Sequence, residues 1–259
     1  MENLKGEKKQ VDEYKDVTLL FTDMVGFTAF SKNVSDPKDV VILLQQLFSR
    51  FDTLCDENKV YKVHTIGDCY VIMGYNGRIS QKKRFKGVVI DEAHRVIKCG
   101  LEMIHIIKET REKSESCKDL DMRIGIHSGK VVAGIIGSKV VRYDIFGEGV
   151  LIANKMESNG LPGKVCVSQD TKDLIEQEPE IFKQYEFDEH KLVQLTSIRK
   201  DIMCYSVTPV KEDSGESDSL EEDFSSSIVD SSSLADGEGS ASVKSGRRIV
   251  RSKEKPQES

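Results

Sequence analysis

The sequence lacks most of the signals that would assign it at once. It has no C-x-x-C pair: Cys55, Cys69, Cys99, Cys117, Cys166 and Cys204 are scattered. That spacing excludes a zinc ribbon and a secreted disulfide framework, and points to a reduced, cytosolic setting. No apolar run approaches the roughly 20 residues of a bilayer span, and the charged start MENLKGEKKQ has no signal-peptide core, so no transmembrane segment is expected. There is no excess of positive charge. With 38 Lys+Arg against 44 Asp+Glu the formal net charge is −6, which excludes nucleic-acid binding by bulk basicity.

The charge that is present is uneven. Residues 211–259 hold 12 acids, 7 bases and 14 serines, with Phe224 as the one aromatic. Such a segment buries too little apolar surface to offset its chain entropy. It reads as a disordered tail, acidic first and basic at the end. Residues 1–15 read as a flexible lead-in, and 16–210 as one folded domain.

Within that domain the pattern is mixed α and β. VTLLFT (17–22) reads as a buried strand. Asp36-Pro37 is a helix start, followed by Val40, Leu44, Leu47, Phe51 and Leu54 on one face to about Glu57. Strands 59–65 and 69–75 flank a tight Ile66-Gly67-Asp68 turn. A polar, basic loop (76–86) precedes a helix over 88–113. MRIGIHSG (122–129) and KVVAGIIG (130–137) read as a further hairpin. Then come a helix over 148–158, strand 164–168, a short helix over 170–177, and strands 182–190 and 201–208. The order predicts an α+β fold with a ferredoxin-like βαββαβ core and C-terminal additions.

Two segments carry chemistry. FTDMVGFT (21–28) ends a strand at Asp23, and HTIGDCY (64–70) holds Asp68 in a hairpin turn. In a ferredoxin-like sheet the first strand and first hairpin are neighbours, so both carboxylates reach one sheet edge. Alone, Asp23 could be a loop cap and Asp68 a turn residue. Together they suit a hard dication, which takes carboxylate oxygens and substrate phosphates. His94, His105, His127 and His190 show no metal-ligand spacing, and the basic cluster Lys82, Lys83, Arg84, Lys86 reads as a solvated loop.

FTDMVGFTAFS, KVHTIGDCYV, MRIGIHSGKVVAGIIG and YDIFGEGVLIANKMESNGLPGKVCVS, in that order over about 17–208, resemble the class III adenylate/guanylate cyclase catalytic domain. The resemblance implies a nucleotide cyclase, a phosphorus–oxygen lyase that turns ATP or GTP into the cyclic 3′,5′-monophosphate and pyrophosphate. It implies two Mg²⁺ or Mn²⁺ ions on Asp23, Asp68 and the Met24 carbonyl, a phosphate-cradling loop through Gly26 and Phe27, and Arg123 facing the phosphates. His64 and Asp144 are the base-facing candidates: Asp144 matches the adenine type, whereas His64 fits neither base pattern and reads equally as a strand histidine packed at the dimer seam.

The match is incomplete. The family's ribose-orienting Asn and transition-state Arg are replaced by Leu151 and Lys155, and lysine lacks the planar fork of arginine. A late phosphate-gripping base would be Arg199 or Lys200. The pattern is that of the metal-bearing half of a two-domain cyclase, so a heterodimer with a complementary cyclase domain is expected, in intracellular signalling on the cytosolic side. The alternative is a catalytically silent module that holds nucleotide or a partner.

Overall fold

The computed structural model describes residues 11–75, 84–137, 139 and 141–210. In chain order these form β1 (Val11–Val25), α1 (Phe27–Asn33), α2 (Pro37–Glu57), β2 (Tyr61–Ile66), β3 (Cys69–Met73), α3 (Lys86–Lys113), β4 (Asp121–Ile136), β5 (Arg142–Phe146), α4 (Glu148–Ser158), β6 (Lys164–Ser168), α5 (Gln169–Glu176), α6 (Pro179–Phe182), β7 (Tyr185–Leu195) and β8 (Lys200–Pro209). The strands make one sheet in the order β2-β3-β1-β4-β6-β8-β7, with β5 paired to β4. The first four strands reproduce the ferredoxin-like order. β4 and β6 are parallel and the other pairs antiparallel.

Alternation along β1 divides the core. Leu20 and Met24 face α2 and α3, joining Leu47, Phe51, Ile97 and Met103 in the main cluster. Val17, Leu19 and Phe21 face the other side and pack with Val71, Val131 and Ala153. A third cluster lies between α4 and the β6–β8 end of the sheet, through Ile152, Met156, Cys166 and Cys204. Helix α2 starts as expected: the Asp36 carboxylate accepts from the Lys38 N–H at 2.9 Å, and Pro37 takes the first turn, where its missing N–H costs nothing. The buried face of α2 runs through Leu43, Leu47, Phe51 and Leu54.

Three expectations need correction. The segments 122–129 and 130–137 are not a hairpin but one strand, β4. Its N-terminal half pairs with β1 up to Val17↔Gly129, and its second half continues beside Val11–Tyr14. Gly129 is therefore paired strand rather than turn, and the real hairpin joins β4 to β5, with Gly137 at φ +101°. Second, Val11–Lys15, read as lead-in, belong to β1. Third, the basic loop is not simply solvated. Lys82 and Lys83 lie outside the described residues, but the Arg84 side chain is buried against Glu92, donates to the Asp16 carbonyl at 2.6 Å and lies over the Tyr75 ring. The expected tail, 211–259, lies outside the described residues.

Candidate active site

By strand parity Asp23 points to the α4 side of the sheet, as Leu19 and Phe21 do. Its neighbour across the ladder is Arg123 of β4. Beside it the β2–β3 turn is tied to β1, because the Tyr70 N–H donates to Thr22 Oγ1 at 2.9 Å. Gly67 supplies the positive φ of that turn, +60°. The turn carries Asp68 to the end of β1, beside Asp23 and Met24. The structure thus places Asp23 and Met24 at the end of β1, Arg123 beside Asp23 on β4, and Asp68 in the adjoining β2–β3 turn.

Arg123 does not stand free. Its Nη2 donates to Asp23 Oδ2 at 2.5 Å and its Nε to Glu157 Oε1 at 2.9 Å. Glu157, on α4, escaped the sequence reading. The only signal was its place in the KMESNG run, and its contact arises from α4 lying on Gly125 of β4. A Cβ on Gly125 would sit 1.9 Å from the Glu157 nitrogen.

The edge is electronegative. Burial, and then the neighbouring Asp23, push the Asp68 carboxyl above its ordinary range. Burial pushes Glu157 up as well, with Asp23 and Asp68 adding to it against the pull of Arg123. The Cys69 thiol is raised to about 12 by burial, Glu157, Asp23 and Asp68. Burial would weaken protonation of Arg123, but Glu157 and Asp23 hold it more firmly charged. Among the described residues no group of three or more His, Cys, Asp or Glu side chains converges as a ready metal cage. Two neighbouring carboxylates, Asp23 and Asp68, do fit a hard divalent cation that takes its remaining oxygens from backbone and phosphate.

After β1 the chain turns at Gly26, at φ +83°, where a Cβ would meet the Asp119 carbonyl oxygen at 2.6 Å. Helix α1 begins at Phe27 with no side-chain cap, so its first N–H groups have no side-chain acceptor.

His64 and Asp144 also come together. His64 Nδ1 lies 3.4 Å from Asp144 Oδ1, ion-pair range without hydrogen-bond alignment, and that nitrogen is buried with no hydrogen-bond partner among the described residues. Burial lowers the His64 pKa against the pull of Asp144. Burial would raise Asp144, but Arg142 and the Ile145 N–H hold it below the usual carboxylate range. On α4, Leu151 is half-buried and Lys155 exposed, one turn apart on one face. Arg199 and Lys200 are exposed, and Lys200 pairs with Glu148.

A ferredoxin-like sheet extended by β6–β8, with two acidic side chains at the β1 end, defines a protein of the class III nucleotidyl cyclase fold. The chain belongs to the family described as adenylate and guanylate cyclase catalytic domain, which matches residues 9–209. It is 42% identical over 173 residues to the receptor-type guanylate cyclase gcy-28 of Caenorhabditis elegans, covering 67% of this chain and 13% of that protein. It is 41% identical over 197 residues to guanylate cyclase alpha of Plasmodium falciparum, covering 76% and 4%. The chain therefore spans a small part of these relatives' length. Among solved structures it resembles the guanylate cyclase domain of RhGC from Catenaria anguillulae in complex with GTP. The TM-score there is 0.63 at 28% identity, over 77% of this chain and all of that one. The adenylyl cyclase CyaB from P. aeruginosa shares the fold, with a TM-score of 0.67 at 20% identity over 79% and 98%.

Proposed function

We propose that this domain is the metal-bearing half of a heterodimeric nucleotide cyclase that converts a nucleoside triphosphate to its cyclic 3′,5′-monophosphate and pyrophosphate, in intracellular signalling on the cytosolic side. The observation that carries the reading is the placement of Asp68, in the β2–β3 turn, beside the end of β1 that holds Asp23. The relatives at 41–42% identity bear guanylate cyclase names, which supports GTP as the substrate over ATP.

Asp23, Asp68 and the Met24 carbonyl would hold two Mg²⁺ or Mn²⁺ ions. When bound, these supply acidification of the ribose 3′-hydroxyl and neutralisation of charge on the leaving pyrophosphate. The chain's own residues do the rest. Amides following Gly26, beginning with Phe27, are donors for phosphate oxygens. Arg123 is a fixed cation beside the carboxylates and stabilises charge that develops on the phosphates. His64 and Asp144 line the equivalent of a base pocket. Leu151 can neither donate to nor accept from a ribose, and Lys155 lacks a bidentate fork. Those functions fall to a complementary domain, and a homodimer would be left without them.

The test mixes the full chain with a candidate complementary cyclase domain, Mn²⁺ and GTP or ATP. Cyclic product that forms only on mixing and is lost in Asp68→Ala supports the reading. Nucleotide binding without product alongside every complementary domain would instead support a silent cyclase-like module, the alternative that Leu151 and Lys155 favour.

A further inference from the structure

We infer that Arg123 is the resident cation of the carboxylate edge, and that Glu157 is the anchor that retains it when Asp23 is claimed by a divalent ion. The inference rests on the proposed metal role of Asp23 and Asp68.

The geometry makes loading an exchange rather than an addition. The guanidinium uses separate edges for its two partners: Nη2 for Asp23 and Nε for Glu157. One bond can break while the other stays, which a lysine ammonium could not imitate. The two ends differ in access to water. The Asp23 side chain is 36% exposed and that of Glu157 7%. A hydrated ion therefore reaches the Asp23 end, while the Glu157 end is sealed. Glu157 is also fixed in place, because the α4 backbone rests on the missing side chain of Gly125.

Without a cation the three carboxylates would repel: Asp23 lies beside Asp68, and beyond the effect of burial Asp23 and Asp68 both push the Glu157 carboxyl up. Arg123 relieves that repulsion in the metal-free domain. With Asp23 engaged by a divalent ion, the Arg123 Nη edge would be freed and available to a phosphate oxygen, while Nε stays on Glu157. Glu157 is thus a positioning residue acting through Arg123. Without it, the guanidinium has Asp23 as its remaining carboxylate partner among those two, and the metal must displace it completely.

The experiment uses the full chain and Mn²⁺ alone. Free Mn²⁺ is followed by electron paramagnetic resonance, and thermal midpoints are measured with and without the ion. Arg123→Lys keeps the charge and loses the fork. It should lower the metal-free midpoint, bind Mn²⁺ about tenfold more tightly and show a larger Mn²⁺-induced rise than wild type. Glu157→Gln should weaken Mn²⁺ binding about tenfold, and much less so when combined with Arg123→Lys. In wild type, ¹⁵N-arginine spectra under Mg²⁺ titration should keep the Arg123 Nε signal and shift its Nη signals. Unchanged Mn²⁺ affinity in both single variants, or Nη signals indifferent to saturating Mg²⁺, overturns the exchange. If Asp68→Asn still abolishes Mn²⁺ binding in that case, the metal reading survives it. Equal Mn²⁺ binding by wild type and Asp68→Asn removes the metal reading, and the exchange with it.

Discussion

At Gly125 the absence of a single methyl group lets α4 rest on the sheet. A Cβ there would lie 1.9 Å from the Glu157 nitrogen and 2.5 Å from its Cα, both backbone atoms that cannot swing aside. Gly125→Ala must lift α4 from β4 and pull Glu157 from Arg123. The cost is roughly 3 kcal/mol, a fall in thermal midpoint of about 6–12 °C for a domain of this size. An unchanged midpoint in thermal unfolding would show that α4 is not seated as described. The same contact explains what was legible at this scale. Asp23, Asp68 and Arg123 each sit in a short run whose local form, a strand end or a turn, carries the residue to the edge. Glu157 reaches Arg123 across 34 residues, and only the packing of a helix over a glycine brings it there. Nothing in its own neighbourhood marks it.

Among the elements, β4 marks where sequence pattern stops being sufficient. Helices α2, α3 and α4 and strand β6 were readable because apolar period, caps and breakers agree locally. Ser128-Gly129-Lys130 between two apolar runs carries an equally good local turn signal. The deciding partner is Val11–Tyr14, which supplies a ladder for Val131–Gly134 and of which Tyr14 alone is buried. A strand exposed on most of its length leaves little hydrophobic trace, so neither it nor the continuity of β4 was visible. Straight through this point, β4 carries His127 into the interior, 4% exposed, with Nδ1 2.8 Å from Ser168 Oγ. Burial drives its pKa down to about 4, against the pull of Asp170. Above pH 6.5 the ring is neutral folded or unfolded, and no stability depends on it. As pH falls below 6.5 the unfolded chain takes up a proton that the folded one refuses. Stability is then lost progressively down to pH 4, by about 3 kcal/mol in all. Thermal midpoints of wild type and His127→Gln across pH 7 to 4 should converge or cross as acid is added, the variant having the shallower slope. Parallel slopes would contradict a neutral, buried imidazole.

For the molecule as a whole, the question is what one copy of this domain can offer another. Each copy presents the carboxylate edge on β1 and the β2–β3 turn, and each also presents the α4 face with Leu151 and Lys155 one turn apart. Under the proposed heterodimer a productive site needs the first surface from this chain and an Asn–Arg pair on the second surface from its complement. A pair of identical copies therefore has metal ligands twice over and a transition-state fork nowhere. That makes the deficit repairable. Leu151 is half-buried and Lys155 exposed, so Leu151→Asn with Lys155→Arg changes the face without opening the core beneath, where Ile152 and Met156 make the contacts. The double variant should form cyclic nucleotide without any complementary domain, on the order of a hundredfold above wild type alone, since a single well-aimed donor to a developing charge is worth roughly that much. Cyclic-product assays at matched Mn²⁺ and GTP, with sedimentation to fix the oligomeric state, measure it. Each single substitution should fall well short of the pair, because ribose orientation and charge stabilisation act on the same transition state. Full turnover by a tight wild-type homodimer would mean that Lys155 already supplies the missing charge, and that Leu151 marks a different way of holding the sugar rather than half of an unfinished site.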